Sequence, residues 1–208
     1  MATTHPIRDK HQVRAIADYF RRRGQLRNLV LFILGIHTAL RVSDLLELTW
    51  DHVYDFARGC VRSSIEVIEK KTHKAATITL NKDAVNAIAL LATQSAQKGH
   101  FVIENPLTGK SISRIQAYRI VRAAAEALQF QNRVSCHSLR KTFGYHAWKS
   151  GVSPVVIMEI YNHSSLAVTR RYLGVTQDDK DSAYMSLKLL EQPSVNETQS
   201  IITYSYNE

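Results

Sequence analysis

Apolar residues recur at helical spacing along most of this chain and at strand spacing in one short window. From His11 to Arg23, Val13, Ile16, Ala17 and Phe20 fall on one stripe that Gly24 closes, and Leu26 to Leu40 is apolar enough for a buried core helix. A short helix is expected over Ser43 to Leu48, with Ser43 as its cap. Between Arg62 and Leu80 the period changes. Ile65, Val67 and Ile68, then Ala76, Ile78 and Leu80, flank the polar turn Lys70 to Lys74 and predict a hairpin. Four helical stretches follow, over 82–97, 113–128, 136–150 and 154–161, with Gly99, Gly109 and Gly151 as breaks. After Tyr172, Gly174 and an acidic stretch lead to a last helix, Asp181 to Glu191, with Ala183, Leu187 and Leu190 on one side and Pro193 at its close. The expected fold is mainly α with a small antiparallel β-sheet (α+β). No repeat or low-complexity linker divides it, so one domain is expected over 1–191, followed by a polar tail over 192–208.

Charge adds a partner to this picture. Lys and Arg number 27 against 18 Asp and Glu, a formal net charge of +9, which is the footprint of a protein that meets a polyanion, most commonly nucleic acid. An apolar fraction of 45% argues against disorder throughout the 208 residues. Cys60 and Cys136 form no C-x-x-C pair, so neither a zinc site nor a disulfide framework is expected, and both are read as buried, reduced thiols. The amino terminus lacks the apolar core of a signal peptide, and the apolar run Leu29 to Leu34 is too short to span a bilayer. A cytoplasmic location and no membrane partner are therefore expected.

Several side chains are suited to phosphate chemistry. Arg41 lies in A-L-R-V-S-D, Lys71 in K-K-T-H-K, His137 and Arg140 in H-S-L-R-K, His163 in Y-N-H-S-S and Tyr172 in T-R-R-Y. Arginine donates two parallel hydrogen bonds to phosphate and keeps its proton, histidine moves protons near neutral pH, and tyrosine becomes a nucleophile where cations and a base favour its phenolate. No acidic cluster offers ligands for Mg²⁺, so a metal-dependent nuclease is disfavoured and no cofactor is expected.

The order of these motifs, and the gaps of 3, 23 and 9 residues between positions 137, 140, 163 and 172, resemble the tyrosine recombinase (phage integrase) family. The resemblance implies a recombinase catalytic-domain fold and a site-specific DNA recombinase that cleaves and rejoins double-stranded DNA without metal or ATP. Tyr172 would attack the scissile phosphate to give a 3′-phosphotyrosyl intermediate and a free 5′ hydroxyl. Arg41 and Arg140 would hold the non-bridging oxygens, His137 would serve as proton shuttle, and His163 would donate a hydrogen bond to the phosphate. Lys71 would protonate the departing 5′ oxygen, though Lys70 and Lys74 stand in the same turn. Asp44 would buttress the site. Self-assembly on DNA is implied, with an accessory DNA-binding protein as a further possible partner.

Two positions depart from the family pattern: His73 stands where it carries glycine, so a reshaped turn is expected there, and Asn162 stands where glycine precedes the histidine, so a different local helix start is expected. The resemblance runs from about residue 12 to 190 and corresponds to the catalytic domain, as in the short members that invert fimbrial promoters, or in a fragment of a longer protein. Rival readings are a type IB topoisomerase-like activity, which would act without pairing two sites, and a non-catalytic DNA-binding regulator that retains the fold.

Overall fold

The computed structural model describes residues 4–95 and 100–187. Its helices are α1 (Lys10–Arg22), α2 (Leu26–His37), α3 (Val42–Leu45), α4 (Trp50–Val53), α5 (Lys82–Ser95), α6 (Arg114–Ala127), α7 (Cys136–Lys149), α8 (Pro154–Ile160), α9 (Leu166–Leu173) and α10 (Gln177–Ser186). Between them lie three antiparallel two-stranded sheets: β1 (Tyr54–Asp55) with β2 (Cys60–Val61), β3 (Ser64–Ile68) with β4 (Ala75–Thr79), and β5 (Glu104–Asn105) with β6 (Lys110–Ser111). The fold is thus mainly helical, as its hydrophobic pattern predicts. Among the described residues no helix is long and apolar enough to cross a membrane.

The centre is α2, whose residues are buried on nearly every side and against which α1, α5 and α7 pack. A helix apolar all round has no solvent face and must be enclosed in this way. It stops at His37 rather than Leu40, because Ala39 takes the left-handed conformation (φ 57°) and turns the chain away. The helix expected from Ser43 starts one residue earlier, with the backbone of Arg41 in the cap position and no side-chain cap; Ser43 is not the cap. The predicted hairpin is β3 and β4, in register from Ser64 opposite Thr79 to Ile68 opposite Ala75. Cys60 is exposed on the short strand β2 and Cys136 is half-buried, so the expectation of two buried thiols is corrected: that hairpin is too short to cover both its faces.

The carboxyl-terminal part of this body was the least legible. Helix α9, which carries Tyr172, is only 8 residues long, with Thr169 and Leu173 as its buried positions, too few to mark a period. Gly174 ends it at φ 63°, the left-handed stop that glycine adopts without a Cβ penalty. Helices α7, α8 and α9 pack together around a small second core of Ala39, Ile157, Tyr161 and Leu173, with Phe143 and Tyr172 against it.

The chain divides after Gly174 into two units. In the second, α10 begins at Gln177, four residues before the expected Asp181, because Thr176 and Asp179 form a reciprocal capping box. Tyr184 and Met185 are exposed on it, and Leu187 is exposed just past its end. Leu190, Pro193 and the tail expected over 192–208 lie outside the described residues.

Candidate active site

Two helix starts and one hairpin supply the site. Helix α7 opens with a capping box between Ser135 and Ser138, which places His137 in its first turn and Arg140 at the end of that turn. Backbone N–H groups without helical partners favour negative charge at such an end. Arg140 is 3% exposed, and its guanidinium is held on three sides. Nη1 donates to the carbonyl of Ala39, Nη2 donates to the carbonyl of Tyr161 at 2.8 Å, and the cation lies 4.6 Å from the centre of the Tyr161 ring. The left-handed turn at Ala39 therefore aims a carbonyl at the arginine as well as ending α2.

Tyr172 is surrounded by rings. His137 meets it nearly edge-on with centroids 5.1 Å apart, His163 lies 4.6 Å away and Tyr161 5.1 Å away. The ammonium of Lys141 is 5.7 Å from the Tyr172 ring and donates to the carbonyl of Thr4 at 2.6 Å.

Burial and the cationic surroundings act in one direction on both histidines. Burial, then the charges of Lys141, Arg140 and Arg41, push His137 below its ordinary pKa. The same causes, burial first and then Arg140 and Arg41, bring His163 down to about 4. Both rings are neutral at physiological pH, so His137 can accept a proton. His163 Nδ1 is 3.0 Å from the hydroxyl of the fully buried Thr169, which also lies 3.5 Å from the Ser165 carbonyl; when the hydroxyl donates to Nδ1, the imidazole proton sits on Nε2 and is available to an acceptor.

Arg41 approaches from the start of α3. Its Nη1 makes an ion pair with Glu69 Oε2 at 2.6 Å, not with Asp44 one turn along. Asp44 is buried instead under the hairpin, where Oδ1 accepts the backbone N–H of Lys70 at 3.1 Å and Oδ2 has no partner. That contact ties the turn to α3. Lys70 is committed elsewhere, its ammonium 2.7 Å from Glu47, whereas Lys71 is exposed on the turn and makes none of the contacts that join the other site residues.

The structure thus gathers Arg41, His137, Arg140, His163 and Tyr172 into one electrostatic and ring-contact network, sets Asp44 beneath the hairpin, and leaves Lys71 at its tip. Both departures from the glycine pattern fall on left-handed backbone, Asn162 at φ 50° and His73 at φ 54°. The turns keep the conformation that glycine takes most readily, and asparagine and histidine are among the side chains that enter it most often.

Sequence reasoning missed Glu69, Tyr161 and Thr169. Glu69 is 2% exposed. Burial alone would raise its pKa, but hydrogen bonds from Thr72 and Arg41, and the charges of Arg41 and Arg140, outweigh that and hold the carboxyl below its usual range. A glutamate at the end of an apolar strand is the one signal that might have drawn notice to it. Tyr161 and Thr169 give none, since their roles depend on which helices meet.

This arrangement coincides with a family match: residues 8–178 match the Phage integrase family, a span that contains the whole cluster from Arg41 to Tyr172. The chain belongs to that family and is, by class, a tyrosine-type DNA recombinase. Over 184 residues it is 34% identical to the probable integrase/recombinase YoeC of Bacillus subtilis, covering 88% of this chain and 97% of that protein. Against other relatives it spans less: it covers 49% of the tyrosine recombinase XerD of Mycobacterium leprae, at 28% identity over 160 residues. Among solved structures, XerA recombinase superposes with a TM-score of 0.74 at 17% identity, covering 91% of this chain and 68% of that one, which shows the shared fold. XerH bound to a palindromic difH substrate superposes with a TM-score of 0.71 at 16% identity, over 88% of this chain and 52% of that one.

Proposed function

We propose that this domain cleaves and rejoins double-stranded DNA through a covalent 3′-phosphotyrosine on Tyr172. The observation that carries the reading is the seating of the Tyr172 ring between His137 and His163, 5.1 and 4.6 Å away, beside the buried Arg140. The phenol oxygen attacks phosphorus and the bond from phosphorus to the 5′ oxygen breaks. His137, neutral and next to the phenol, accepts the phenolic proton. Arg41 and Arg140 hold the non-bridging oxygens, where negative charge grows in the transition state, and His163 adds a hydrogen bond from Nε2. Lys71 gives a proton to the departing 5′ oxygen. Rejoining reverses each transfer and consumes no ATP, because the phosphotyrosine keeps the diester's bond energy.

The site-specific recombinase reading is favoured over a non-catalytic regulator, because Arg41, His137, Arg140, His163 and Tyr172 lie in one cluster and the named relatives are integrases and recombinases. Assembly of several protomers on DNA is part of the proposal, supported by the structural likeness to a lambda integrase dimer bound to a core site.

A nicked suicide duplex carrying the target site, incubated with the protein in excess EDTA, tests the reading. A covalent protein–DNA adduct is expected, and Tyr172→Phe should bind the duplex without forming it. An adduct with Tyr172→Phe, or cleavage that depends on Mg²⁺, would overturn the proposal.

A further inference from the structure

A carboxylate with almost no exposure needs partners, and Glu69 takes both of its side-chain partners at one oxygen. Oε2 accepts from Arg41 Nη1 at 2.6 Å and from the Thr72 hydroxyl at 2.8 Å. Its backbone closes the same turn from below: the N–H donates to the carbonyl of Lys74 at 3.0 Å, and the carbonyl accepts the N–H of His73 at 2.8 Å. Lys70 is fixed next to it, with its N–H on Asp44 and its ammonium on Glu47. Every residue from Glu69 to Lys74 except Lys71 therefore makes a hydrogen bond in or beneath the turn, His73 and Lys74 through the backbone. The anchor of that loop is the carboxylate that also grips Arg41.

From this we propose that Glu69 is a positioning residue: by holding Arg41 and Thr72 on one oxygen, it sets the Lys71 turn in register with the arginine that grips the scissile phosphate. The proposal rests on the recombinase reading above, in which Lys71 protonates the leaving oxygen. A carboxylate beside a phosphate site opposes anion binding, so a simple charge effect predicts faster cleavage when it is removed. Positioning predicts the reverse, and it predicts that the loss includes leaving-group protonation.

Single-turnover cleavage of two suicide duplexes separates these, one with oxygen and one with sulfur at the 5′ bridging position. Sulfur departs without a proton donor, so a defect in Lys71 delivery disappears on it. The sulfur-to-oxygen rate ratio should rise about tenfold or more above wild type in Lys71→Ala and in Glu69→Ala, and severalfold in Thr72→Val, while staying near wild type in Arg41→Ala. Thr72→Val leaves the Arg41 and Glu69 pair intact and keeps the test valid if Glu69→Ala does not fold. A raised ratio in Lys71→Ala with a flat ratio in Thr72→Val, or in folded Glu69→Ala, overturns the proposal alone. A flat ratio in Lys71→Ala overturns the reading of the lysine and the proposal with it.

Discussion

Arg140 and Tyr161 hold each other at both ends: the arginine's Nη2 donates to the Tyr161 carbonyl at 2.8 Å, and the Tyr161 hydroxyl donates to the Arg140 carbonyl at 2.5 Å. A residue with no assigned chemistry thus fixes the guanidinium at one end and the helix that carries it at the other. Burial pushes the Tyr161 phenol above its usual range, so it stays a neutral donor.

The close fit around that hydroxyl gives the first prediction. Gly144 lies one turn beyond Arg140, and a Cβ placed there would run into the Tyr161 hydroxyl. Gly144→Ala should cost about 1–3 kcal/mol by overpacking, and Tyr161→Phe about 1 kcal/mol through the lost hydrogen bond. The double variant should be more stable than the sum implies, because phenylalanine removes the clashing atom. Chemical denaturation of the four proteins measures this, and strict additivity would show that the contact is not the cause.

A second prediction concerns acid. His163 has a folded pKa of about 4 against an ordinary 6.5, so below pH 6.5 the unfolded chain takes up a proton that the folded one refuses. The stability associated with this group is therefore complete above pH 6.5 and declines as pH falls toward 4. His37 and His137 are shifted in the same direction and add to the slope. Melting temperature should fall between pH 7 and pH 4.5, and less so in His163→Gln. An equal slope in the variant would mean that His163 is not desolvated.

Thr169→Val tests the orientation of the same ring. Losing the hydroxyl 3.0 Å from Nδ1 frees the tautomer and the tilt of the imidazole, and cleavage should drop about tenfold with little change in DNA affinity. Unchanged cleavage would show that His163 needs no such support.

Assembly gives the fourth prediction. Tyr184 and Met185 on α10 and Leu187 just past its end are exposed, an apolar group suited to contact between protomers. A chain ending at Thr176 should form the covalent adduct yet fail to recombine two sites. Normal recombination by that chain would remove α10 from the assembly.

How far the sequence revealed this site depends on the range of the contacts involved. The period of α1, α5, α6 and α7, and the change to alternation in β3 and β4, are local properties, and their elements appear within a few residues of the expected bounds. The motif residues were legible because their chemistry and order are written along the chain. Helix α9 was not, since two buried positions define no period. Glu69 and Tyr161 were illegible for another reason: each acts on an arginine brought to it by the fold, 28 and 21 residues away in sequence. Asn162 and His73 were read as departures from glycine, and both take the left-handed backbone that glycine enters most readily, a property of φ that no side chain spells out.

The central claim is that one tyrosine of nine carries the DNA. Digesting the trapped adduct and locating the nucleotide by mass spectrometry measures this directly. The remnant is predicted on Tyr172, in the peptide that follows Arg171; a remnant on Tyr161, Tyr145 or any other tyrosine would contradict the account.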